Sequence, residues 1–268
     1  MRHLLACDLD GTLIPTGPGP DGRRAVTAFR AAVESADPPW SLAYVTGRHL
    51  ELALRGVEET GLPRPDAFAC DVGTSIWWWR DGSWLPDEEF RDEMRRAMGG
   101  ADADGVREAL GDLDGLSLQE PAKQAPFKAS YYFPWEERSR VSEEVGRRLE
   151  EAGIRGSRVV SRDALDGRGL LDILPEGGAK DRAVRHLARV LDVPPEHVAF
   201  AGDSGNDTAA LLGGWSAVLV GNAPEALKEE VRARAGREGL AERVHVARAP
   251  WGEGVLEGLE ALGFPLAG

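Results

Sequence analysis

The stretch "LLACDLDGTLIP", Leu4 to Pro15, sets an unbroken apolar run directly before two carboxylates, Asp8 and Asp10, and a glycine. An apolar run with no polar alternation reads as a strand buried on both faces, as in parallel sheets covered by helices on either side. Further short runs recur at Leu42–Val45, Ala67–Cys70, Val198–Ala201, Ala217–Val220 and Val244–Val246. Helical patterns follow most of them, near 21–36, 48–60, 205–213, 223–236 and 252–262. This alternation predicts an α/β fold built on a doubly wound parallel sheet. Such sheets bind ligands beyond the carboxyl ends of their strands. Asp8, Thr46, Asp71 and Asp203 each stand just after an apolar run, so the pattern gathers all four on that edge.

The middle of the chain breaks the rhythm. "IWWWRDGSW" reads as a hairpin turning at Asp81-Gly82. Helical stretches near 87–99, 103–111 and 135–152 then mix with strand-like "FKASYYF", "RVVS" and "LLDIL". The pattern predicts a discontinuous core, 1–84 with 176–268, carrying an inserted α+β cap at 85–175. Alternation puts Trp77 and Trp79 on one hairpin face and Trp78 on the other, and cross-strand packing is the preferred explanation over sugar stacking.

Composition narrows the function classes. The chain has 268 residues, 42% hydrophobic and 29% charged, an ordinary globular balance. Its net charge of −13 repels nucleic acid and anionic membranes, so neither is expected as a partner. An anionic substrate would need local positive charge against that field. No apolar run approaches the roughly 20 residues of a membrane span, and Met1-Arg2-His3 does not read as a signal peptide. Cys7 and Cys70 read as buried free thiols, with a disulfide as the alternative. The expectation is a cytoplasmic protein, monomeric or a weak homodimer.

Asp8-Leu9-Asp10-Gly11-Thr12 is a D-x-D-x-T motif at a strand end, moderately specific alone, with a pair of solvated turn aspartates as the lesser alternative. Three later signals sharpen it: "YVTGR" with Thr46, Gly47 and Arg48, "GGAKDRAV" with Lys180, and "GDSGND" with Asp203, Asn206 and Asp207. In this order the motifs resemble the haloacid dehalogenase (HAD) superfamily of phosphotransferases, and the resemblance implies a Rossmann-like core. It implies Asp8 as a nucleophile forming an aspartyl-phosphate, and Asp10 as the acid and base serving leaving group and water. It further implies Mg²⁺ held by Asp8, Asp203 and the Asp10 carbonyl, with Asp207 supporting it through water. Lys180 and the Thr46 hydroxyl would contact phosphate, with Gly47 and Asn206 nearby. The physics is consistent: a carboxylate meeting a phosphate is opposed by about 4 kcal/mol per charge pair at about 4 Å and an effective dielectric near 20. Arg48 reads as a solvated or structural arginine.

The stretches "DVGTSI", "QAPFKASYYF", "LLDILPEGGAKDRAVRHL", "VGNAPEAL" and "APWGEGVLEGLEALGF" resemble the sucrose-phosphate phosphatase branch. The resemblance implies Mg²⁺-dependent hydrolysis of sucrose 6-phosphate. Gly11 departs from the bulkier residue common there, which leaves room for a related glycosyl phosphate, such as glucosylglycerol phosphate, mannosyl-phosphoglycerate or trehalose 6-phosphate. A phosphosugar mutase and a non-catalytic sugar-phosphate-binding module are the competing classes. The second should lack one of Asp8, Asp10, Lys180 or Asp203, and all four are present. In the cap, period two sets Lys128, Ser130 and Tyr132 opposite Phe127, Ala129, Tyr131 and Phe133. Lys128 reads equally as a solvated lysine or a sugar contact; the branch resemblance favours contact, with Gln124 as helper.

Overall fold

The computed structural model describes residues 2–16, 20–37, 39–163, 166–176 and 180–264, with no side-chain description for residues 20 and 21. The Gly177–Ala179 part of "GGAKDRAV" therefore lies outside the described residues. The chain divides into two compact units, Met1–Pro86 with Lys180–Gly268, and Asp87–Ala179.

In the first unit, β1 (Leu4–Cys7), β2 (Ser41–Val45) and β3 (Ala67–Cys70) are buried at every position, as their unbroken apolar runs require. Next come β4 (Ser75–Arg80) and β5 (Ser83–Pro86). The second unit contributes β6 (Ser117–Leu118), β7 (Ala129–Phe133), β8 (Gly156–Arg162) and β9 (Gly169–Pro175). The chain then returns through β10 (Val198–Gly202), β11 (Ser216–Leu219) and β12 (Val244–Val246).

The eight-stranded sheet runs β12-β11-β10-β1-β2-β3-β4-β5. Pairing is parallel from β12 to β3 and antiparallel for β4 and β5. The β4–β5 hairpin turns at Asp81 (φ 51°) and Gly82 (φ 80°), the left-handed pair of a type I′ turn. Trp79 faces Trp84 across it with ring centroids 5.2 Å apart, and Trp84 packs on Phe68 at 4.9 Å. The tryptophan run is thus a packing device, with Trp78 buried on the other face.

The helices of this unit follow their strands. Before the second unit they are α1 (Pro20–Ser35) and α2 (Leu50–Thr60), the latter capped by the His49 side chain and ended by left-handed Gly61. In the second unit α3 (Glu88–Ala97), α4 (Ala103–Leu110) and α5 (Arg138–Glu151) start after Asp87, Asp102 and Glu137. The aspartates cap by accepting from backbone N–H groups. The smaller sheet runs β6-β7-β9-β8, all antiparallel. Phe127, Ala129, Tyr131 and Phe133 are buried together with Leu171 and Ile173.

The chain re-enters the first unit at α6 (Lys180–Val190) and later forms α7 (Thr208–Leu211), α8 (Glu225–Arg237) and α9 (Trp251–Ala261). The helix expected over 205–213 is instead a 3-10 turn, Gly205–Asp207, followed by the single turn of α7. Its start is locked by a capping box between Ser204 and Asp207, and left-handed Gly214 (φ 94°) lies just beyond its end. Cys7 and Cys70 are buried free thiols on β1 and β3. Among the described residues no helix is long and apolar enough to cross a membrane.

Candidate active site

The parallel register decides where the acidic residues stand. Leu4–Cys7 pairs with Val198–Ala201, and the ladder continues one step as the Asp8 N–H donates to the Ala201 carbonyl at 2.9 Å. Asp8 therefore leaves β1 beside Asp203, which leaves β10. Thr46 and Asp71 follow β2 and β3 on the same edge.

The loop after Asp8 is tight. Thr12, Leu13 and Ile14 all donate backbone N–H to the Leu9 carbonyl, and Gly11 donates to Ile14. Gly11 has φ +82°, and a Cβ there would lie 2.7 Å from Cγ of Asp203 and overlap its carboxylate oxygen. In this chain the loop can approach Asp203 so closely only with glycine at this position. The Thr12 hydroxyl donates to Oδ1 of Asp203 at 3.1 Å. Asn222 secures the loop from the far side: its Nδ2 donates to the Gly11 carbonyl at 2.7 Å, and its Oδ1 accepts from the Trp251 N–H at 2.9 Å.

Lys180 is the buried cation beside Asp8. It is 2% exposed, and its Nζ donates to Oδ1 of Asp8 at 2.9 Å and to Oδ1 of Asp207 at 2.6 Å. Asp207 is fully buried, and its Oδ2 accepts from the backbone N–H groups of Asp203 and Ser204 at 3.1 and 3.0 Å. It thus joins the β10 loop to the lysine. Candidate ligand oxygens of Asp8, Asp203 and Asp207 all lie within 4.8 Å of one another. Three carboxylates around one ammonium leave the cluster short of positive charge. Burial pushes the Asp8 carboxyl up to about 8, against the lowering effect of Lys180 and with a further push from Asp207. Asp203 is raised, first by burial and then by Asp207. Burial alone would lower Lys180, but the two carboxylates outweigh it and raise it. Three clustered carboxylates, with Asp8 and Asp203 held above their ordinary proton affinity, are hard oxygen donors whose crowding a divalent cation such as Mg²⁺ relieves, so these residues fit one.

Thr46 is fully buried; its N–H donates to the Ala69 carbonyl at 2.8 Å, and its Oγ1 accepts from the Arg48 N–H at 3.2 Å. Gly47 is exposed, with no atom within 4 Å of where a Cβ would stand. The Thr46–Arg48 loop is tied to the turn after β3, because Asp71 N–H donates to Arg48 and Val72 N–H to Thr46, each at 2.9 Å. Asp71 (φ 56°) and Val72 (φ 65°) take left-handed backbone to do so, a strained pose for a β-branched residue. Asn206 is exposed, with its Oδ1 2.8 Å from the Ser204 hydroxyl.

Arg48 was expected to be solvated or structural, and its contacts are more specific. Its Nε donates to Oδ2 of Asp10 at 2.8 Å and its Nη2 to Oδ1 at 2.5 Å, a two-point hold on the half-exposed carboxylate. Sequence reading also missed Asn222, whose stretch "VGNAPEAL" served only for the resemblance; a polar side chain just past β11 was the available signal.

In the second unit, Gln124 donates from Nε2 to the Gln119 and Ser130 carbonyls at 3.1 and 2.8 Å and accepts from Ser130 N–H at 3.0 Å. Its amide is engaged with the backbone around Ser130. Lys128 Nζ lies 3.8 Å from Oδ2 of Asp172, and the buried Ser130 hydroxyl donates to Oδ1 of the same carboxylate at 2.5 Å.

A family model described as sucrose-6F-phosphate phosphohydrolase matches residues 1–263. A protein of Nitrosococcus oceani named putative HAD-like hydrolase is 36% identical, over 96% of this chain and 71% of its own length. Probable sucrose-phosphatase 1 of Arabidopsis thaliana is 29% identical over 85% of this chain and 52% of its own length, so the chain spans about half of that plant relative. Among solved structures, the Synechocystis sucrose-phosphatase in complex with sucrose and phosphate aligns with a TM-score of 0.76 at 25% identity, covering 98% of this chain and 99% of that one.

Proposed function

The chain belongs to the sucrose-6F-phosphate phosphohydrolase family of HAD phosphatases, and on that premise we propose that it hydrolyses a sugar phosphate, sucrose 6-phosphate first among them, through an aspartyl-phosphate on Asp8. One observation carries the reading: a buried carboxylate at a strand end is bonded to a buried lysine, with Asp203 and Asp207 at metal-sharing distance.

An Oδ of Asp8 attacks phosphorus, and the bond from phosphorus to the sugar oxygen breaks. Asp10 gives its proton to that oxygen, and the sugar leaves as an alcohol. Asp10, now a carboxylate, takes a proton from water as the water attacks the aspartyl-phosphate. The bond from phosphorus to Asp8 breaks, inorganic phosphate leaves, and Asp8 and Asp10 return to their starting states. Mg²⁺, held by Asp8, Asp203 and the Asp10 carbonyl and supported by Asp207, would supply the positive charge that draws nucleophile and phosphate together. Lys180 fixes Asp8 and adds a further positive charge, while Thr46, Gly47 and Asn206 line the phosphate. In the cap, Lys128 donates to sugar hydroxyls, and Gln124 serves chiefly by holding Ser130.

A phosphate-release screen with Mg²⁺ over sucrose 6-phosphate, trehalose 6-phosphate, mannosyl-phosphoglycerate and glucosylglycerol phosphate tests this. The highest kcat/KM is expected for sucrose 6-phosphate. A glycosyl phosphate bound but left unhydrolysed, with no turnover across the panel, would overturn the enzymatic reading.

A further inference from the structure

Arg48 is anchored more firmly than a surface arginine needs to be. Beyond the two bonds to Asp10, its Nη1 donates to the Leu52 carbonyl in the first turn of α2 at 3.2 Å, so all three guanidinium nitrogens have acceptors. Its main chain is fixed as well, with the N–H on Thr46 Oγ1 and the carbonyl accepting from Asp71.

A second observation, on another element, points the same way. Gly56 lies buried in the middle of α2, where glycine is the least favourable residue apart from proline. A Cβ on it would overlap Nη1 of Arg48 and stand 3.2 Å from its Cζ and 3.1 Å from Cδ1 of Ile14. The helix thus has no side chain at the place the guanidinium occupies. The pair also links the loops after β1 and β2, which the fold brings together only through the parallel register.

We propose that Arg48 is a positioning residue for Asp10, fixing its carboxyl group by both oxygens while the proton it donates rides on an oxygen lone pair outside those two bonds, in the pose from which it serves the leaving group, and that Gly56 leaves room for the guanidinium. This rests on the reading of Asp10 as proton donor. Arg48 acts through Asp10, to which two of its three guanidinium nitrogens are bonded. Its effect is geometric, which separates it from a general contribution to stability: a loss of stability alone would weaken turnover of every substrate alike, whereas the angle of a proton donor decides whether a poor leaving group departs.

The test compares p-nitrophenyl phosphate, phenyl phosphate and sucrose 6-phosphate in the full chain with Mg²⁺, for wild type, Arg48→Ala, Arg48→Lys, Gly56→Ala and Asp10→Asn. For Arg48→Ala, kcat/KM on phenyl phosphate should fall about ten-fold further than on p-nitrophenyl phosphate, because only the poorer leaving group depends on the proton. Arg48→Lys should fail to restore the ratio, since an ammonium cannot make the two-point hold. Gly56→Ala should shift the ratio in the same direction with Tm equal to or above wild type, because alanine favours the helix while displacing the arginine. Equal losses on the aryl phosphates in Arg48→Ala and Gly56→Ala, with a clear leaving-group dependence in Asp10→Asn, would overturn the positioning role alone. A flat response in Asp10→Asn would overturn the proton-donor reading and the proposal with it.

Discussion

The two units each bring a lysine to a carboxylate, and the two pairs are built differently. Lys180 has a side chain 1% exposed and two carboxylate bonds at 2.9 and 2.6 Å. Lys128 is 12% exposed and, among the described residues, has one ion pair at 3.8 Å, to an aspartate already bonded by Ser130. The first ammonium is committed in the resting protein; the second keeps donor capacity in hand. Under the proposed function the contrast would divide the labour, phosphate chemistry taking the rigid charge array and sugar recognition the less committed donor. It also teaches that burial, rather than residue type, separates the two lysines.

The harshest way to break the comparison is at its rigid end. Asp8→Asn should fold normally and lose turnover; a variant keeping more than about a hundredth of wild-type kcat, a loss under about 2.7 kcal/mol, would contradict Asp8 as nucleophile. EDTA should silence the enzyme, and Mg²⁺ but not Ca²⁺ should restore it, since Mg²⁺ alone demands the compact octahedral arrangement. Mg²⁺ should also raise Tm of wild type and not of Asp203→Ala, and equal shifts in both would place the cation elsewhere.

Replacing the buried cation comes next. Lys180→Met leaves Asp8 and Asp207 buried without their counterion, so chemical denaturation should report a loss approaching about 3–5 kcal/mol, moderated where Asp8 takes up a proton. Lys128→Ala sharpens the other end: folding should hold, while KM for the sugar phosphate rises several-fold, as expected for about 1–1.5 kcal/mol. The loss should be smaller on p-nitrophenyl phosphate, which has no sugar. Equal responses would remove Lys128 from specificity.

Much of the first unit is legible in the chain because its signals are local. Leu4–Cys7 and Val198–Gly202 are near-continuous apolar runs, and the acidic residues that follow them inherit the sheet edge. The Asp81-Gly82 turn and the buried alternation of Phe127 to Phe133 are equally local. What stayed hidden depends on contacts distant in sequence. The Arg48–Asp10 hold spans 38 positions and the Asn222 bond to Gly11 spans 211. No periodicity reports either of them. Glycine is unfavourable inside a helix, and the arginine packed beside Gly56 gives it a reason. The stretch 205–213 reads as helix because the 3-10 turn Gly205–Asp207 and its capping box share the residues of a helix start.

The central claim is that Asp8 carries the phosphoryl group during turnover. It is tested most directly by mixing enzyme with sucrose 6-phosphate and Mg²⁺, quenching in acid within the first turnover, and mapping the peptides by mass spectrometry. Asp10→Asn loaded with p-nitrophenyl phosphate, whose leaving group needs no proton while the second step still slows, provides the longest-lived sample. The account predicts a burst of free sucrose matched by a phosphoryl group on Asp8. A burst of sucrose with the phosphoryl group on any other residue, or on none, would contradict it.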